Sequence, residues 1–346
     1  MKRLLCTLML LILLPVCVHA QGELPSEAQD ILDQPGITAE DFQSFSFSDL
    51  ISPIVQAAKE QIQSPVRLFV TILGGTLLGS AVIAFLPGDE TIETICILGI
   101  FAASLSPVLD LVSRISNQIA DWQTYLISFV PVFSGAMMTC GQVTQAAVYS
   151  GMFLTMATFV SQIIQTIALS VVQVLVALYT AGGVCTVQGL SDGCALLNKT
   201  VKWILSVLSI LFTTVLGLQS VLAQNTDNLA MKTGRFVVSS SIPIVGSVAS
   251  EAMGSVLSGL KILKGSLGFA AIAVLSISFF PILLQSMGFY IAYNLGGATA
   301  KSFGLPRAAK ILEGLGQCVA LCIAFLVFFF LLVVISTALM IVMGGG

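Results

Sequence analysis

RFVVSSSIPIVGSVASEAMGSVLSGLKILKGSLGFAAIAVLSISFFP, residues 235 to 281, combines charge, proline and membrane-grade apolarity in one run. Over 245 to 264, Val245, Val248, Ala252, Val256, Leu260 and Leu263 recur at steps of three and four. Ser247, Glu251, Ser255, Ser258, Lys261 and Lys264 fall on the opposite side. That period predicts an amphipathic helix. Ser266 to Phe280 then carries no charge and, continued to Tyr293, exceeds the roughly 20 helical residues that cross a bilayer. A two-faced helix feeding directly into a span predicts an all-α polytopic membrane protein.

Composition agrees. Hydrophobic residues make up 56% of the 346 and charged residues 9%, with a mean hydropathy of +1.01. No soluble core of this size hides that much apolar surface, so lipid is the expected solvent. The 14 Lys and Arg are spread thinly, with no basic stripe for a phosphate backbone, so nucleic acid is not an expected partner.

At the amino end, Lys2 and Arg3 precede the apolar run Leu4 to Val16, and Val18-His19-Ala20 ends in small residues. Residues 1–20 therefore read as a cleaved signal peptide. A lipidated Cys17 is the weaker alternative, because Pro15-Val16 lacks the small residues usual before such a cysteine. Residues 21–62 are polar and acidic, with Glu23, Glu27, Asp30, Asp33, Glu40, Asp41 and Asp49. They read as an extracytoplasmic arm, leaving 63–346 as the transmembrane domain.

About six full spans are expected by length: 66–86, 94–112, 163–179, 203–223, 266–293 and 319–342. Gly75 and Gly79 in the first form a small-xxx-small pair that permits close helix approach. Arg114, Gln118 and Asp121 lie opposite Ile115, Ile119 and Trp122, an interfacial pattern. Tyr125 to Val160, broken by Pro131, Gly135, Gly141 and Gly151, is expected to form a hairpin or re-entrant segment, the first of two Pro-broken segments; the second surrounds Pro243. Ala181 to Val201 reads as a loop, as does Lys301 to Lys310. A cleaved signal places the mature amino terminus outside and Lys199, Lys202, Lys301, Arg307 and Lys310 inside, as the positive-inside rule asks. Lys59, Arg67, Lys232, Arg235, Lys261 and Lys264 go against it.

At a shift of 112 residues, Phe129 to Gly135 falls on Ser241 to Ser247. This is either a duplication, with repeats 92–201 and 204–313, or the chance agreement of apolar stretches. The eight cysteines suggest neither a metal nor a disulfide framework: Cys318 and Cys322 read as small hydrophobes, and Cys185 and Cys194 as reduced thiols in a cytoplasmic loop. No cofactor is expected. The only histidine, His19, leaves with the signal, and Asp110, Asp121 and Glu251 are scattered, so no acid-base or nucleophilic constellation for an enzyme is in view.

Two groups of residues are candidates for function. Pro243, Gly246, Glu251, Lys261 and Lys264 suit a docking or pore-rim element on the outer side. Gln142, Gln145, Gln162, Gln165 and Gln173 lie in apolar surroundings, where an unpaired amide costs several kcal/mol. They line a polar path or act as interhelical glue.

The run from 226 to 281 resembles the stage III sporulation protein AE family of endospore-forming bacteria. The resemblance rests on Thr226-Asp227, Lys232-Thr233, Arg235-Phe236, Ile242 to Gly246, Leu260 with Leu263-Lys264, Gly268 and Phe280-Pro281. The acidic arm, Phe129 to Pro131 followed by Ala146-Ala147, and the apolar carboxyl-terminal span extend it over most of the chain. The Ser239 to Ser241 run is more polar than that family would suggest. The resemblance implies a non-enzymatic component of an export-like channel in the mother-cell membrane around the forespore, with sibling membrane proteins and a cytoplasmic ATPase as partners. A secondary transporter is the alternative, disfavoured by spans that lack charged residues for coupling ions.

The signal reading predicts that amino-terminal sequencing of the purified protein begins near Gln21. An intact Met1 terminus refutes cleavage.

Overall fold

The computed structural model describes residues 47–85, 90–184, 188–241 and 246–343, and the side chains of 47–60, 234–264 and a few isolated positions lie outside that description. Every element among the described residues is helical: α1 Phe47–Phe85, α2 Glu90–Thr139, α3 Val143–Val148, α4 Leu154–Ile163, α5 Leu169–Val184, α6 Gln188–Ser241, α7 Gly246–Ser302 and α8 Pro306–Met343. π-Helical segments Tyr149–Phe153 and Ile164–Ala168 join α3, α4 and α5 into one rod. Among the described residues, six stretches are long and apolar enough to cross a membrane: Gln61–Phe85, Thr94–Thr139, Val143–Gly183, Asp192–Thr233, Gly265–Ser302 and Pro306–Ala338. Number and order agree with the spans expected from hydropathy, but the helices run much further than the apolar cores that announce them.

Three expectations are corrected. Tyr125 to Thr139 is no re-entrant piece: α2 continues through both Pro107 and Pro131. A proline removes only one hydrogen bond, and the flanking turns hold the helix. The hairpin does exist, but as the corner at 140–142 between two long helices. Residues 188–201 are helical, so the expected loop over 181–201 shrinks to its middle; Cys185 lies outside the described residues. Likewise Lys301 and Lys310 are helical, in α7 and α8, and the basic loop contracts to Phe303–Leu305. The sequence around Pro243 lies outside the described residues, but from Gly246 the amphipathic stretch and the span are one uninterrupted helix of 57 residues. The two segments paired by the 112-residue shift sit differently, since 129–135 is interior to α2 whereas 241–247 straddles the end of α6 and the start of α7.

Two corners share one mechanism. After α2, Gly141 adopts φ 77°, Gln142 N–H donates to the Met137 carbonyl at 3.0 Å and Gly141 N–H to that of Met138 at 2.9 Å. After α7, Gly304 adopts φ 79°, and Leu305 and Gly304 N–H donate to the Ala300 and Lys301 carbonyls at 2.9 and 3.2 Å. Each is a left-handed glycine cap that satisfies carbonyls a helix end would leave bare. A side chain at either position would have to hold an unfavourable positive φ.

These tight reversals give an up-and-down bundle, and the glycine contacts set its registers. Gly75 of α1 faces Ile100 of α2, and Gly79 faces Cys96, so α1 and α2 are antiparallel. Gly288 and Gly296 of α7 press on Pro65 and Ile72 of α1, which run parallel to them. Helix α8 lies at the centre: 61% of its apolar window is buried, against 12% for α6. Gly314 of α8 meets Tyr179, Gly183 of α5 meets Ile311, and Gly268 of α7 meets Ile341. Around Trp122, Phe279, Phe329 and Phe330 stack α2, α7 and α8 together with ring centroids 3.8 to 6.3 Å apart. The two faces expected around 114–122 are present, with Ile115, Ile119 and Trp122 buried and Arg114 and Asp121 exposed, but the stretch is interior to α2 and within the Thr94–Thr139 span, and its apolar face packs on α7 and α8.

Where no Cβ fits, adding one tests the packing. Gly314→Ala is expected to lower stability by about 1–3 kcal/mol, the usual cost of overpacking, read as a fall in the melting temperature of the detergent-purified protein. Gly217→Ala, with open space around it, should be neutral or mildly stabilising. Equal effects at both positions would refute this register.

Candidate functional site

Of the residues expected to dock partners, Pro243 lies outside the described residues. Gly246, Glu251, Lys261 and Lys264 occupy the first part of α7, but their side chains are outside the description too.

The five glutamines do not line a single face. Gln162 and Gln173 are exposed, Gln165 is half-buried, and Gln142 and Gln145 are buried. Gln165 does bind a neighbouring helix, in a cluster of three: Ser161 Oγ donates to Gln123 Oε1 at 2.7 Å, and Gln165 Nε2 donates to Ser161 Oγ at 2.9 Å. This ties α2 to the α4–α5 junction, and Gln165 itself lies in the second π-helical segment, where an extra residue per turn re-aims side chains. Gln123 escaped notice in the sequence because it lies between the expected spans. Gln145 is the opposite case: it is fully buried, and neither its Oε1 nor its Nε2 has a hydrogen-bond partner among the described residues. Ser134 and Ser336 also bury hydroxyls that have none.

Among the described residues, Asp227 is the acidic residue that the structure takes inside. It is 6% exposed, and its two carboxylate oxygens accept from the backbone N–H groups of Thr144 and Gln145, both at 2.9 Å. These are donors that the first turn of α3 cannot satisfy itself. A carboxylate there also faces the positive end of the helix, so the later part of α6 is pinned beside the α2–α3 corner. Met231, one helical turn on, packs its Sδ against Gly141. Two further bonds lock α7 to α2: Tyr293 Oη donates to the Ser104 carbonyl at 2.6 Å, and Trp122 Nε1 donates to Ser278 Oγ at 2.8 Å. The Ser104 carbonyl lies beside the interruption that Pro107 makes in the hydrogen-bond ladder of α2.

Among the described residues, no group of three or more His, Cys, Asp or Glu could hold a metal ion. Cys318 and Cys322 are buried free thiols on α8, and Cys194 is a buried free thiol on α6.

Asp227→Ala removes both bonds and leaves two backbone donors unmatched. Hydrogen bonds to charged groups contribute roughly 1.5–3 kcal/mol each, so a loss of about 3 kcal/mol is expected. Asp227→Asn, which keeps an acceptor but no charge, should fall between. Hydrogen exchange at Thr144 and Gln145 is the readout, and unchanged protection in Asp227→Ala would refute the clamp.

The family model for stage III sporulation protein AE matches residues 35–344. The chain is also similar to the stage III sporulation protein AE of Bacillus subtilis (strain 168), 24% identical over 222 residues, which is 62% of this chain and 55% of that one. The match thus spans about half the length of that curated relative. No solved structure matches the chain. Asp227, Gly268 and Pro281, on which the resemblance partly rested, have places in the structure: the α3 clamp, the notch for Ile341, and the interior of α7. On a match that takes in almost the whole bundle, the chain belongs to the stage III sporulation protein AE family, a family of sporulation proteins.

Proposed function

We propose that this protein is a non-enzymatic membrane component of an export-like channel complex linking mother cell and forespore. In that reading it sits in the mother-cell membrane around the forespore, its amino terminus outside, and works with sibling membrane proteins and a cytoplasmic ATPase. The family match over 35–344 is the observation that carries the reading.

The exposed apolar surface of α6 supports an assembled rather than a solitary protein. Leu196, Trp203, Ile204, Ile210, Leu211, Leu218, Leu222 and Leu229 are all exposed, several of them seven residues apart, the spacing of a helix-packing seam. From 196 to 229 the stripe is roughly 50 Å long at 1.5 Å per residue. Even at a tilt of about 40° it spans more than the roughly 30 Å of hydrocarbon. The excess gains by covering with protein. Gln145, Ser134 and Ser336, buried without hydrogen-bond partners among the described residues, favour a polar path or trapped water over glue alone.

The start of α7 is the docking element in this proposal, and Glu251→Lys tests it. In an endospore-forming host, the variant should accumulate in the membrane at wild-type level, bind its sibling proteins about tenfold more weakly in co-purification, a difference of about 1.4 kcal/mol in association, and lower spore yield. Undiminished co-purification at wild-type yield would overturn the docking role. Normal sporulation after deletion of the whole gene would overturn the channel reading and favour a transporter.

A further inference from the structure

Arg67 and Arg114 take no part in the packing of the bundle: the first breaks the charge rule for its side of the membrane, and the second marks the end of an apolar run. The register that sets Gly75 against Ile100 and Gly79 against Cys96 also brings Arg67 of α1 across from Asp110 and Arg114 of α2. Together with Gln285 of α7, they line a cleft of about 230 Å³ between the three helices. Both guanidinium groups are exposed and form no ion pair or hydrogen bond among the described residues. Asp110 has one weak contact, from Ser106 Oγ at 3.4 Å. Gln285 is 3% exposed, lines the cleft, and its Oε1 has no hydrogen-bond partner among the described residues.

A buried amide oxygen without a donor is costly in any apolar setting. The helix that carries it is fixed, since Tyr293 to Ser104 and Trp122 to Ser278 bond α7 to α2 on either side of it, so a turn of its own side chain or an incoming donor has to satisfy it. Two guanidinium groups and one carboxylate leave one net positive charge, and two acceptors, Asp110 and Gln285 Oε1, still need donors. Phe289 and Leu68 supply apolar wall beside the charges, where acyl chains could follow the helices.

We propose that this cleft binds the head of an anionic phospholipid of the phosphatidylglycerol type. The phosphodiester, with one negative charge, sits between Arg67 and Arg114, whose planar forks suit phosphate oxygens. The glycerol hydroxyls donate to Asp110 and, once the Gln285 side chain turns its enclosed Oε1 toward the cleft, to that oxygen as well. A charge of −1 neutralises the cleft, whereas a choline head matches the phosphate but brings no hydroxyl donor and leaves the net charge standing.

The test uses the full-length protein in neutral detergent, with phosphatidylglycerol, phosphatidylcholine and soluble glycerol 3-phosphate as probes, read by melting temperature and by native mass spectrometry. One phosphatidylglycerol should be retained per chain, and it should raise the melting temperature saturably where phosphatidylcholine does not. At about 1 kcal/mol for each basic group near a membrane surface, Arg67→Ala and Arg114→Ala should each weaken binding about fivefold, and the pair about thirtyfold. Gln285→Leu, which removes the orphan acceptor without changing charge, should reduce the preference for the hydroxylated head while raising the melting temperature of the lipid-free protein. Equal stabilisation by phosphatidylcholine, or undiminished binding in the double variant, would overturn the proposal. Saturable stabilisation by glycerol 3-phosphate with no gain from the lipid would also overturn it, in favour of a soluble phosphate site.

Discussion

Inside a bilayer the hydrophobic effect no longer presses one apolar helix against another, because lipid tails solvate Leu as well as Leu does. Cohesion must come from how closely the backbones approach and from polar bonds between them. In this bundle the approach is made by glycine. Gly268, Gly296, Gly314 and Gly183 each admit an Ile or Tyr side chain into space that a Cβ would occupy. All but Gly296 lie on α8 or face it, which is why α8 is the most enclosed helix and the others wrap it.

Polar groups then fix what dispersion alone leaves sliding. A stack of apolar helices can shift by a turn at little cost, but a bond from Tyr293 to the Ser104 carbonyl or from Trp122 to Ser278 has only one register. Asp227 does the same for α6, which has few buried side chains of its own and is tied toward its carboxyl end through that carboxylate. A charge buried in such surroundings is tolerated because two backbone donors and a helix end receive it.

Where the bundle leaves polar atoms unmatched, it invites something else to complete it. Gln145 and Gln285 bury amide groups without full partners among the described residues, one at the α2–α3 corner and the other beside the Arg67 cleft. The long exposed stripe of α6 leaves apolar area that a lipid layer of ordinary thickness does not cover. Such features suit a fold completed by lipid and by neighbouring chains, which is what the proposed channel role requires.

By itself the sequence determined the class, the order of the spans and their number to within six to eight, and the family. Hydropathy is a local sum, and a run such as Ser266 to Phe280 has one stable home whatever surrounds it. It also announced the amphipathic stretch as continuous with its span, and the close approach at Gly75 and Gly79. Only the tertiary structure decided where the helices end and which polar groups meet. Pro131, Gly135 and Ala181 to Val201 read as breaks, because local propensity penalises them, yet neighbouring helices compensate the small cost of one lost bond. Asp227 and Gln123 are separated from their hydrogen-bond partners, and Arg67 and Gln285 from the other residues of their cleft, by tens to hundreds of positions, so no spacing rule couples them. Their pairing depends on registers set by glycine notches on other helices, and that information exists only once the chain has packed.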